Sequence, residues 1–133
     1  MIDRNLDHDR ALYAYKCVEE IKEIGDKTEK KYKSAVRSSG ALIQKSGLMQ
    51  TLAFYLSKKS DDEGSLTHYE QLAGHILYWK HICGKTEGSL IDAYKNLLDC
   101  PDADEQIIYT TQEAKALILW LKRFAEAMLK GED

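Results

Sequence analysis

Residues 110–129 read TTQEAKALILWLKRFAEAML, and the spacing inside that stretch decides the fold. Ala114, Leu117, Leu121, Phe124, Ala125 and Met128 recur at steps of three and four, which puts them on one face of a helix. Thr110 and Glu113 have the spacing of a capping box, so the helix is expected to open there, and Gly131 offers its stop. The same pattern repeats toward the N-terminus. A second box, Thr67-His68-Tyr69-Glu70, opens a helix expected to reach about Cys83, with Leu72, Ala73, Ile76 and Trp79 down its inner side. Leu90, Ala93, Tyr94, Leu97 and Leu98 mark a shorter helix that Cys100-Pro101 ends.

Upstream, Leu48, Leu52, Ala53 and Leu56 form a stripe over 48–57, and Ala41–Lys45 reads as a short helix set off by Gly40 and Gly47. Thr28 is expected to cap a helix whose inner side is Tyr32, Ala35, Val36 and Ser39. The first helix runs from about Leu6 to Ile24, where Gly25 stops it. The polar run SKKSDDEGS over 57–65 is a surface loop. Composition agrees. Ala, Leu, Glu, Lys and Arg make 58 of the 133 residues, against two Val and six Thr, too few to populate the faces of a sheet. The expectation is an all-α fold, a single compact bundle of six or seven helices, with residues 1–133 forming one domain.

The net charge of −3 conceals a division. Residues 1–60 carry 12 basic and 8 acidic groups, whereas residues 61–133 carry 7 and 14. Between Lys27 and Lys59 there are eight basic residues and a single acid, Glu29. At 100° per residue Lys30, Lys33 and Arg37 fall within about 60° of one another. Solvated helix faces usually mix signs at four-residue spacing. An acid-free run of Lys30, Lys31, Lys33, Arg37, Lys45, Lys58 and Lys59 instead predicts an uncompensated positive surface, for which phosphate backbones are the commonest large partner. Contacts of that kind position a nucleic acid without reading its bases. Tyr32 and Tyr55 lie nearby but are expected to pack in the core. The acidic remainder suits either head-to-tail stacking of copies or docking on a basic partner.

Motifs for chemistry do not assemble. Gly84-Lys85-Thr86 ends like a phosphate-binding loop, yet Trp79 stands where that loop needs glycine, and a helix rather than a strand precedes it. His68, His75, His81 and Cys83 lack the three- or four-residue spacing of helical metal ligands and read as exposed or core-satisfied side chains. His8-Asp9 would need further downstream ligands. No Gly-x-Ser-x-Gly elbow occurs, and Glu19-Glu20 and Asp61-Asp62 fall on solvated surface. Three cysteines (Cys17, Cys83 and Cys100) without a CxxC pair read as reduced thiols. With no apolar leader and no run of roughly 18–20 apolar residues, the expectation is a soluble cytoplasmic protein that is not an enzyme, uses no cofactor or metal and does not enter a membrane.

Two stretches resemble a known family. Residues 32–58, YKSAVRSSGALIQKSGLMQTLAFYLSK, are similar to the signature of the small helical subunit of the type III-B CRISPR effector, the Cmr complex, and residues 110–129 are similar to that family's last helix. HYEQLAGHILYW, residues 68–79, keeps the order and spacing between them. Gly40 stands where the family often has proline before Ala41-Leu42-Ile43. The resemblance implies a non-catalytic subunit for antiviral defence. Its partners would be the backbone and other subunits of the complex, copies of itself in a stack, and the guide RNA–target RNA duplex. Lys122 and Arg123 fall on the family's Lys-Arg pair, and Lys33, Arg37 and Lys45 on its basic helix and turn. With Lys30 from the stripe, these are the candidate RNA-binding residues. The alternative is a helical adaptor whose basic face docks acidic protein.

Overall fold

Two glycines in the left-handed backbone region divide the first 57 residues into three helices: Gly25 at φ +129° and Gly47 at φ +84°. Only glycine takes such angles without strain, so each is a hard stop and a change of direction. The computed structural model describes residues 4–61, 65–84, 87–99 and 103–131. Its elements are α1 (Arg4–Ile24), α2 (Asp26–Ser46), α3 (Leu48–Ser57), α4 (His68–Leu77), α5 (Leu90–Leu98) and α6 (Ala103–Met128). Among the described residues there is no strand, and the fold is all-α.

The long helices α1, α2 and α6 make a three-helix layer. Arg10 meets Glu113 and Tyr15 meets Phe124, so α1 runs parallel to α6. Lys33 reaches Leu129, Arg37 reaches Glu126 and Lys115 reaches Gln44, so α2 runs antiparallel to α6. All six helices contribute to one core, through residues such as Val18, Val36, Leu52, Leu72, Ala93 and Leu121. These are the positions that the three- and four-residue spacing selects.

Four boundaries differ from the sequence expectation. The second helix begins at Asp26, directly after Gly25, with Asp26 and Glu29 in its first turn where the helix dipole favours acids. Thr28 is therefore inside the helix rather than its cap. Gly40 does not break α2, and the expected short helix Ala41–Lys45 is its last turns. Buried Ser39 and Ile43 flank Gly40 on the core side, and their packing outweighs the cost of about 1 kcal/mol for a helical glycine. The fourth helix stops at Leu77 instead of Cys83, because Trp79 turns inward to donate its indole N–H to Glu113 at 2.9 Å. The last helix opens at Ala103, not at Thr110, which lies buried within it. Glu113 is not a cap; its carboxylate serves Arg10 and Trp79.

The Thr67–Glu70 capping box forms as expected, and Ser89 with Asp92 makes another at the start of α5 that the sequence reading had not marked. No helix among the described residues is long and apolar enough to cross a membrane.

Candidate nucleic-acid interface

The six candidate cations lie on α2 and α6, which pack side by side. Lys30 and Lys45 are exposed on α2, and Lys122 and Arg123 are exposed on α6. Among the described residues none of these four forms an ion pair. The remaining two are engaged. Arg37 donates from Nε and Nη2 to the two carboxylate oxygens of Glu126, at 2.6 and 3.1 Å. Lys33 Nζ donates to the carbonyl of Leu129 at 3.2 Å, where a cation satisfies the end of α6 and its dipole.

The positive surface is thus partly compensated, contrary to the expectation from the acid-free run. The hydrogen bonds and charge of Arg37, helped by Lys33 and Lys122, hold the Glu126 carboxyl below its ordinary value. Lys59 pairs with the buried Glu70 at 3.2 Å, and Lys130 of the acidic half pairs with Asp26 of the basic half. Charge blocks that are separate along the chain thus meet in space at Arg37–Glu126 and Lys130–Asp26. What survives is a ridge of four free cations around one neutralised pair. A recess of about 330 Å³ on α6, lined by Leu119, Lys122, Arg123 and Glu126, opens on it. Leu119 is 60% exposed there.

Sequence reasoning missed Glu126, although its spacing of four from Lys122 was a visible sign of mixed charge. It also missed a surface aromatic group. Phe54 is 41% exposed and stands edge-on to Tyr69 with centroids 5.6 Å apart, while Tyr69 in turn contacts His68 at 4.1 Å. Tyr32 and Tyr55, by contrast, are fully buried.

The other candidates are dispersed or structural. His75 is buried, with Nδ1 2.7 Å from the Tyr32 hydroxyl and Nε2 3.3 Å from Glu20 Oε2. Glu20 accepts from Nε2–H, and Tyr32, whose pKa burial raises well above the usual range, keeps its proton to donate to Nδ1. His8 is exposed and Asp9 pairs with Lys80. Among the described residues no three His, Cys, Asp or Glu side chains gather as a metal site. Burial pushes the Cys17 thiol up to about 12, so it is core filling rather than a nucleophile. Cys83 is a free thiol, and Cys100, Lys85, Thr86 and Asp62 lie outside the described residues.

Fold and surface together define a small all-α protein whose distinguishing chemistry is a basic ridge across two antiparallel helices. The family model described as CRISPR-associated protein (Cas_Cmr5) matches residues 6–128, and the chain belongs to that family. It is a CRISPR-associated subunit of the Cmr type, and its partners include other subunits of that complex.

Proposed function

We propose that this chain is a non-catalytic small subunit of a type III-B, RNA-guided effector complex. In this reading residues 1–133 act as one cytoplasmic domain and copies stack beside the guide-RNA backbone subunits. The α2–α6 ridge then holds target RNA through phosphate contacts indifferent to sequence. The observation that carries the reading is the exposure of Lys30, Lys45, Lys122 and Arg123 without ion pairs among the described residues, in a chain of this family. Free cations can neutralise phosphates and release counterions, whereas Arg37 is already committed to Glu126. A duplex in a channel is recognised through backbone and shape, which suits lysine contacts.

The test is charge reversal of the unpaired members. In the assembled complex Lys30→Glu, Lys45→Glu and Lys122→Glu together should weaken target-RNA retention by at least tenfold at low salt and leave assembly intact. Undiminished retention by the triple variant would discard the ridge as the RNA surface. A second reading, docking on acidic protein, is favoured by Leu119, since a largely exposed leucine between Lys122 and Arg123 is more at home in a protein contact. It predicts that the triple variant loses a subunit rather than RNA.

A further inference from the structure

At the corner where α2 turns into α3 a recess of about 200 Å³ is lined by Leu42, Ser46, Gln50, Thr51 and Phe54. Leu42 and the half-exposed Phe54 ring supply its apolar surface. The Thr51 hydroxyl is spent on the carbonyl of Gly47 at 2.8 Å. The Ser46 hydroxyl and the Gln50 carboxamide, in contrast, have no hydrogen-bond partner among the described residues. Both are exposed, so the rim offers a free amide donor and acceptor beside a free hydroxyl. The charges near it are positive. Lys45, without an ion pair among the described residues, precedes Ser46, and Lys58 Nζ stands 5.0 Å over the Phe54 ring. No acidic side chain is among the described residues that line the recess.

We propose that this recess receives an unpaired nucleobase of a bound RNA strand. The base stacks on Phe54, its polar edge meets the Gln50 carboxamide and the Ser46 hydroxyl, and Lys45 and Lys58 take the adjoining phosphates. The volume is below the roughly 300 Å³ at which pockets for drug-sized ligands begin, and suits one planar heterocycle. Aromatic stacking with hydrogen bonds to the base edge is how single-stranded RNA is held. The ammonium that covers Phe54 sits on a flexible four-carbon stem, so Lys58 can leave the ring for a phosphate without movement of the backbone. A protein side chain fits the site less well, because the rim couples unspent base-edge partners to two cations. The inference rests on the RNA reading above and goes beyond it: contacts on the ridge need only phosphates, and the recess needs a base.

The two readings separate in one experiment on the full chain at low salt. A short labelled single-stranded RNA is compared by fluorescence anisotropy with an abasic ribose-phosphate strand of the same length. The expected result is about tenfold tighter binding of the base-bearing strand, within the range for one base–aromatic stack. Phe54→Ala and Gln50→Ala should each reduce that preference while affinity for the abasic strand stays unchanged, and Phe54→Trp should keep it. Phe54→Leu, which retains apolar volume without a π-face, carries the same test should the alanine variant misfold by circular dichroism. Equal binding of the two strands by the unmodified chain, or a preference that survives Phe54→Leu, overturns the recess and leaves the phosphate ridge standing. Loss of self-association in Phe54→Leu with the RNA preference intact makes the recess a protein contact and also overturns it. Failure of both strands to bind removes both readings.

Discussion

The guanidinium of Arg10 forks onto the carboxylate of Glu113, 103 residues away in the chain, with Nε and Nη2 at 2.6 and 2.8 Å from its two oxygens. The Glu113 side chain is only 2% exposed and also accepts from Trp79. A buried carboxylate with three donors is satisfied, and loss of its charge leaves the largely buried Arg10 with only the 3.3 Å contact to Asp7 as a counter-charge. Glu113→Gln should cost about 3 kcal/mol in urea unfolding. The hydrogen bonds and charge of Arg10 hold this carboxyl below its ordinary value despite burial. A group depressed in the folded state stabilises fully above its unfolded pKa of about 4.3, and that contribution fades as pH falls through the folded value. The difference in stability between the unmodified chain and Glu113→Gln should therefore shrink on acidification below about pH 4.

Gly40 and Gly47 should respond to alanine in opposite directions. Gly40 is exposed inside α2, and a Cβ built there meets nothing within 4 Å, so Gly40→Ala should stabilise by about 0.5–1 kcal/mol. A Cβ at Gly47 also meets nothing within 4 Å, yet its φ of +84° strains any other residue. Gly47→Ala should cost about 1 kcal/mol. Thermal melts of the two single variants check both signs.

Arg37→Glu should lower the melting temperature by placing two carboxylates where Arg37 and Glu126 now pair, and the deficit should shrink in molar salt. The swap Arg37→Glu with Glu126→Arg should recover most of it. A double variant no more stable than Arg37→Glu alone would mean that the pair does not form in solution.

Tyr32→Phe removes the donor to His75 Nδ1 from a fully buried position. The imidazole then keeps an unmet acceptor in the core, which should cost about 1–3 kcal/mol. Chemical denaturation measures it, and the far-ultraviolet circular dichroism should be unchanged.

The helices were legible because each inner face repeats at three or four residues, and that pattern survives in one dimension. What ends a helix was less so. Gly40 and Gly47 look alike in sequence; one lies within a helix because Ser39 and Ile43 pack around it, and the other turns the chain. The Thr110–Glu113 box was misread since Glu113 has two stronger partners on other elements, which no local window contains. The same reason limited the site. Exposure of Lys30, Lys45, Lys122 and Arg123 follows from helical spacing. The commitments of Arg37 to Glu126 and Lys33 to Leu129 depend on helix neighbours 89 and 96 residues apart. Phe54 lies on the flank of the Leu48–Leu56 stripe, and spacing alone does not tell a flank that stays exposed from one that packs, as Tyr55 does.

Synthesis order gives α6 a further consequence. The helix that seats against both α1 and α2 is the last of the six to leave the ribosome. Until it arrives, Arg10 and Arg37 have no counter-charge from it, and the parts of two 21-residue helices that pack on α6 wait uncovered. The nascent chain is for that interval nearly neutral overall, with 15 basic and 16 acidic residues up to position 102, but keeps apolar surface exposed. Arrival of α6 closes the core and brings Glu113 and Glu126 to Arg10 and Arg37. The packing of α1 and α2 is thereby completed only in chains that have translated past α6.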